Sequence, residues 1–142
     1  MRKWYNLNMK REYIDKVALV YLKNRRMLHT RSYGKDTFFT PGGKREGNET
    51  DAETLIREIK EELDVDILPD TISYYKTFAA HAHGKPDHAF VRIKFYMAEF
   101  TGQPQPTSEI EEIAYLDFSV YDTLTETGKL IVKDLKDNNL ID

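Results

Sequence analysis

The stretch from Phe38 to Val65, FFTPGGKREGNETDAETLIREIKEELDV, constrains this chain more than any other. It joins a loop with two consecutive glycines, Gly42 and Gly43, to a segment dense in carboxylates. Thr50-Asp51-Ala52-Glu53 has the form of a capping box: a threonine N-cap, and a glutamate at the third helical position that reaches back to it. The helix is expected to run to about Leu63. At about 100° per residue, Ala52, Leu55, Ile56, Ile59 and Leu63 share one face, which is therefore the buried one. Glu58 and Glu62 are four apart and stack, and Glu61 lies one turn from Glu58. Arg57, on the far side of Glu61, can pair with Glu53 or Glu61 at a spacing of four.

A solvated acidic face is the ordinary explanation of such a run. Two features oppose it. Like charges one turn apart repel, and nothing within the helix neutralises Glu58 and Glu62. The Gly-Gly pair ahead of it lets the backbone approach a ligand closely or turn with positive φ. Hard divalent cations take oxygen ligands, and Mg²⁺ keeps several waters and binds phosphate oxygens with the remainder. The spacing points to a divalent-metal site on Glu58, Glu61 and Glu62.

The same residues resemble the Nudix box: Gly, five residues, Glu, seven residues, then Arg-Glu-apolar-any-Glu-Glu-any-Gly-apolar. Here it reads Gly43, Glu49, Arg57, Glu58, Ile59, Lys60, Glu61, Glu62, Leu63, Asp64, Val65. The one departure is Asp64, where the family has a glycine just past the helix end, commonly left-handed. Aspartate tolerates that conformation better than most residues, at a cost of about 1 kcal/mol. Pro41 and the upstream Phe38 also look like the family's approach to its box. The resemblance implies a Nudix-type α/β/α sandwich, with a mixed β-sheet between helices and the box helix lining a cleft. It implies hydrolysis of a nucleoside diphosphate linked to another moiety, dependent on Mg²⁺ or Mn²⁺. Glu58 and Glu62 would be the main ligands with Glu61 alongside, and the Gly42 carbonyl a main-chain ligand. Arg57 would orient a glutamate, Glu49 would brace the loop and helix start, and Gly43 would shape the loop.

The remaining segments read in chain order. Met1 to about residue 12, with Trp4 and Tyr5, is expected to be a flexible arm or an extra strand. Asp15 to Lys23 is β-rich, Asn24-Arg25 a turn, and Arg26 to Thr30 a second strand ended by Arg31, together a hairpin. By resemblance Arg31 faces the substrate's phosphates; otherwise it is a solvated edge arginine. Of Phe38 and Phe39, one is expected in the core and the other stacked on a base, the family pattern making Phe38 structural. After the helix, Leu68-Pro69-Asp70 breaks the chain. Two β-rich runs then flank a turn at Gly84-Lys85-Pro86-Asp87. The second run alternates, with Val91, Ile93, Phe95 and Met97 on one face. His81 and His83 point to one side of a strand and, with His88, invite a zinc reading. No third ligand is fixed across the hairpin, so His81 and His83 are read as cleft-rim residues touching substrate. Ser108 to Tyr115 resembles the family's segment before the last strand. Counting back from Tyr115 places Glu109 near the metals as a further ligand or general base, with Glu112 second. Thr123-Leu124-Thr125-Glu126 reads as a second capping box opening a helix to about Lys136, with Leu124, Ile131 and Leu135 inward.

Strand, strand, helix, strands, helix is the order of an α+β chain, and 142 residues make one domain, 1–142. A third of the residues are charged yet the net charge is only −3, which gives no electrostatic case for nucleic acid. The absence of cysteine excludes disulfides and thiolate metal sites and fits a reducing cytoplasm. The longest apolar run, Val17 to Leu22, is too short to span a bilayer, and the N-terminus lacks the apolar core of a signal peptide. The expected partner is a small-molecule nucleotide, and the expected state a monomer or homodimer. The short chain favours a nucleoside triphosphate, such as an oxidised guanine nucleotide, cleaved to monophosphate and pyrophosphate. ADP-ribose and dinucleoside polyphosphates are the alternatives. A Nudix-fold module that binds a nucleotide without cleaving it is disfavoured because every box carboxylate is present.

Overall fold

Val17, Ala18, Leu19 and Val20 are consecutive, and all four are buried. A strand can bury neighbours that point in opposite directions only if both of its faces are covered. These residues close the first strand, β1 (Glu12–Val20). Val17 and Leu19 pack with Leu55, Ile59 and Leu63 of the first helix, α1 (Asp51–Leu63). Ala18 and Val20 pack with Ile131, Val132 and Leu135 of the second, α2 (Glu126–Asp137). The sheet is the middle layer of an α+β sandwich, with one apolar cluster on each side. The computed structural model describes residues 10–142, so the expected N-terminal arm, with Trp4 and Tyr5, lies mostly outside the described residues.

The central sheet has the order β4-β1-β7-β6, with β4 (Gly42–Gly43), β6 (Ser73–His81) and β7 (Ala89–Met97). β1 and β7 run parallel, in register from Glu12 opposite Ala89 to Val20 opposite Met97. The other two pairings are antiparallel, so the sheet is mixed. In β7 the predicted alternation holds: Val91, Ile93 and Phe95 are buried while Arg92 and Lys94 are exposed. A second, antiparallel sheet joins β2 (Leu22–Lys23), β3 (Arg26–Ser32) and β9 (Ile110–Leu116). A short pair, β5 (Asp66–Ile67) with β8 (Phe100–Thr101), ties the exit of α1 to the end of β7.

Three boundaries differ from the sequence reading. The run from Asp15 to Lys23 is two strands: β1 starts at Glu12 and joins the central sheet, whereas Leu22–Lys23 pairs with β3. Their connection is the expected turn, with Asn24 and Arg25 both at positive φ. β3 does not stop at Arg31. It continues to Ser32 because β9 pairs alongside it, through an irregularity between Arg31 and Ser32. The second helix is capped by Thr125, whose hydroxyl accepts the Gly128 N–H, and not by Thr123. Thr123 ends a 3-10 turn (Phe118–Thr123) and donates its hydroxyl to the Val120 carbonyl. The residue three past Thr125 is Gly128, which has no carboxylate to complete a box. Leu124, Ile131 and Leu135 are all buried as expected, Leu124 from just ahead of the helix.

Candidate active site

α1 begins and ends as its sequence dictates. The Thr50 hydroxyl accepts the Glu53 N–H, and the Glu53 carboxylate accepts the Thr50 N–H at 2.9 Å. At the other end Asp64 is left-handed (φ 55°, ψ 39°), the conformation usually given to glycine there, and its N–H donates to the Lys60 carbonyl. Burial of Leu55, Ile59 and Leu63 fixes the rotation of the helix. That rotation turns Glu58 and Glu62 toward β4.

Gly42 and Gly43 explain how the carboxylates come so close to the sheet. Leu19 N–H donates to the Pro41 carbonyl, so the antiparallel alternation turns the amide groups of Gly42 away from β1. The Gly42 N–H is met by Glu62. Gly42 has φ +151°, and a Cβ there would sit 2.7 Å from Ala18 Cα, so only glycine fits. A Cβ on Gly43 would lie 2.6 and 2.7 Å from the Glu58 carboxylate oxygens. The space an ordinary side chain would fill is taken by the Glu58 carboxylate.

Arg57 holds this arrangement. Its Nε and Nη2 donate to the two oxygens of Glu49 at 2.7 and 2.9 Å, Nη2 also to the Lys44 carbonyl, and Nη1 to Glu58 at 2.9 Å. Glu61 lies 3.5 Å from Nη1, while Glu53, the other partner its spacing allowed, is engaged in the cap. Glu49 also accepts the Glu46 N–H and the Thr54 hydroxyl. The Arg57 hydrogen bonds, helped by the Glu46 N–H, pull the Glu49 carboxyl down to about 2. Loop, helix and Glu58 are thus fastened through one guanidinium.

Glu62 is only 4% exposed. Burial raises its carboxyl well above the usual carboxylate range, and the charge and hydrogen bond of Glu58 and the charge of Glu109 add to this; the Gly42 N–H opposes them. Both Glu62 and Glu109 line a cleft of about 610 Å³ between the two sheets. β1 contributes Ile14 and Lys16, β4 both glycines, and the start of α2 contributes Thr125 and Thr127.

The other residues singled out by sequence divide clearly. Phe39, His81 and His83 line the cleft, with Phe39 edge-on to His83 at 6.2 Å between ring centres. His81 bonds to the Pro86 carbonyl across the hairpin. Arg31 is not among the cleft-lining residues. It is held by Glu111, Glu112 and the Lys35 carbonyl, and sits over Phe38. Phe38 is half-buried and Phe39 exposed, so neither ring is a core residue. Glu112, the second candidate behind Glu109, is spent on Arg31. Glu61 is half exposed and outside the cleft. Lys16 went unnoticed in the sequence, although a lysine between Ile14 and Ala18 on an otherwise apolar strand face was the signal.

Residues 13–135 match the NUDIX domain family, and the chain belongs to it. That family comprises hydrolases that act on nucleoside diphosphates linked to other moieties and generally use divalent metal ions. Among solved structures, it resembles a Nudix hydrolase family member from Chromobacterium violaceum, with 26% identity, 90% of this chain and 79% of that one covered, and a TM-score of 0.69. A MutT Nudix hydrolase from Burkholderia pseudomallei shares 17% identity over 86% of this chain and 97% of its own, with a TM-score of 0.69. MutT protein from Methanosarcina mazei Go1 shares 17% over 93% and 99%, with a TM-score of 0.70. These last two show the fold. No curated protein sequence matches the chain significantly. Among the described residues, no helix is long and apolar enough to cross a membrane.

Proposed function

We propose that the chain is a Mg²⁺- or Mn²⁺-dependent hydrolase of a nucleoside triphosphate, yielding the monophosphate and pyrophosphate. The observation that carries this reading is a buried glutamate, Glu62, that lines the cleft and is held beside a second carboxylate, Glu58, which the cleft lining does not include. Burial and the neighbouring Glu58 charge oppose ionisation of Glu62, and a cation at the pair would relieve both effects. Among the described residues, no three His, Cys, Asp or Glu side chains are arranged so as to hold a metal ion by themselves. A full cage suits neither Mg²⁺ nor a phosphate substrate, since Mg²⁺ binds through one or two carboxylates and takes waters and phosphate oxygens for the rest. The residues therefore fit a hard divalent ion, held by Glu58, Glu62 and the Gly42 carbonyl, with Glu61 and Glu109 beside them. When bound, such an ion neutralises phosphate oxygens and makes a bound water more acidic.

The protein's own groups do the rest. Arg57 keeps Glu58 pointed at Gly43. Glu109, across the cleft from α1, takes the proton of the attacking water. Phe39 and His83 give the nucleobase an aromatic surface at the rim. A cleft of about 610 Å³ favours one nucleotide over a dinucleotide; ligand pockets run from roughly 300 to 1,000 Å³. The test is a panel of nucleotides, including oxidised guanine nucleotides, ADP-ribose and dinucleoside polyphosphates, assayed with Mg²⁺ and coupled to pyrophosphatase. Pyrophosphate release from a triphosphate, lost in Glu62→Gln while the fold survives, is expected. Turnover undiminished in Glu62→Gln would refute the site, and binding without turnover of any member would identify a non-catalytic module.

A further inference from the structure

We propose that Lys16 is the cation that binds the substrate's phosphates in the cleft, in the role that the family resemblance offered to Arg31; this rests on the nucleotide reading above. Strand alternation places the Lys16 side chain on the face of β1 shared with Ile14 and Ala18, and both of those residues line the cleft. Asp15 points the other way and pairs with Arg92, and Lys16 also borders the smaller cavity on that side. Lys16 is half-buried, and among the described residues its amine has neither an ion pair nor a hydrogen bond. An ammonium drawn out of water without a partner is costly, and such a group stands ready for an anion.

The surrounding charges say which anion. Glu62 and Glu58 act on Lys16 as attracting charges, and Lys44 and Lys85 as repelling ones. Lys44 follows Gly43 as Lys16 precedes Val17, so the two lysines flank the Val17–Gly43 pair on adjacent antiparallel strands, where like charges oppose each other. A divalent cation on Glu58 and Glu62 would cancel the carboxylate charges that act most strongly on Lys16. The Lys44 and Lys85 charges that remain beside its amine favour an anion there. A phosphate chain bridging the ion and the lysine satisfies both. Arg31 cannot serve, because Glu111, Glu112 and the Lys35 carbonyl already occupy its guanidinium.

The test is calorimetric binding of imidodiphosphate, a non-hydrolysable phosphoanhydride, in the presence of Mg²⁺, to the wild type, Lys16→Met and Lys16→Arg. Steady-state KM for the best nucleotide, Mn²⁺ affinity without nucleotide, and Tm are measured on the same proteins. Lys16→Met is expected to weaken imidodiphosphate binding and raise KM tenfold or more. Mn²⁺ should bind it as tightly as, or more tightly than, the wild type, and Tm should hold or rise. Lys16→Arg should restore KM to within about threefold. Unchanged imidodiphosphate binding in Lys16→Met overturns the inference, as does a parallel loss of Mn²⁺ affinity and Tm, which marks a structural counter-ion. If the wild type binds imidodiphosphate through Lys16 yet cleaves no nucleotide, the hydrolase reading fails and the phosphate site stands.

Discussion

Gly43→Ala should separate stability from activity. The new Cβ would come within 2.6 and 2.7 Å of the Glu58 carboxylate oxygens. Ordinary contact requires about 3.5 Å, so the carboxylate must retreat by roughly 1 Å. The end of a side chain moves easily, and the Gly43 backbone lies outside the left-handed region. Alanine should gain about 0.4–1 kcal/mol by restricting the unfolded chain, offset by weakening of the partly buried Arg57–Glu58 bond, worth about 1 kcal/mol. Net stability should therefore change by less than about 1 kcal/mol. A displacement of 1 Å in a catalytic arrangement costs on the order of 10²-fold, so kcat/KM should fall by about that factor. Gly42→Ala is the control. Its Cβ meets the backbone of Val17 and Ala18, and its φ is +151°, so β1 and β4 must separate and stability should drop by more than about 2 kcal/mol. Paired urea unfolding and turnover assays read both effects. Gly43→Ala with activity within threefold of wild type would refute the placement of Glu58, and so would a loss of stability matching that of Gly42→Ala.

Other outcomes follow from the same contacts. Arg57→Lys keeps the charge but cannot reproduce the fork to Glu49, Glu58 and the Lys44 carbonyl; kcat/KM should fall roughly tenfold or more and stability by about 1–2 kcal/mol, and unchanged kinetics would show that Glu58 needs no such brace. Glu62→Gln in metal-free protein should raise Tm at pH 7, because it removes a carboxyl whose ionisation burial opposes; a fall in Tm would show that the carboxylate is satisfied without a cation. His29 is fully buried, its Nδ1 lies 3.0 Å from the Met27 carbonyl, and its Nε2 has no partner among the described residues. Burial pushes its imidazole down to about 4 from 6.5. The unfolded chain therefore takes up a proton first as pH falls, so stability is full above about 6.5 and drops by about 3 kcal/mol by pH 4. Urea unfolding of the wild type and His29→Leu between pH 7 and 4 should show the difference narrowing by that amount, and parallel curves would contradict it.

What the sequence made legible was local. The cap of α1 depends on residues three apart, Asp64 on the backbone of one turn, and the approach of Glu58 and Glu62 to the Gly-Gly edge on helical spacing. The same locality misplaced the second cap, since Thr123 and Thr125 both look like N-caps and only packing of Leu124 and the preceding turn selects between them. What escaped depended on pairing across the chain. β1 meets β7 at residues 77 positions further on, as in Glu12 opposite Ala89, and only that pairing shows which face of β1 joins the cleft and so gives Lys16 its meaning. Arg31 looked free because its partners, Glu111 and Glu112, arrive on β9. His29 lies in an apolar strand, two residues from Met27, which packs with Ile131 and Leu135 of α2.

The central claim is that Glu58 and Glu62 grip a divalent cation at the Gly42–Gly43 edge. Crystals soaked in Mn²⁺ test it most directly through anomalous scattering. The account predicts a peak about 2.2 Å from carboxylate oxygens of Glu58 and Glu62, a distance typical of hard divalent ions with oxygen ligands, and its loss in Glu62→Gln. Ordered Mn²⁺ elsewhere in the cleft, with both glutamates free of it, would contradict the account.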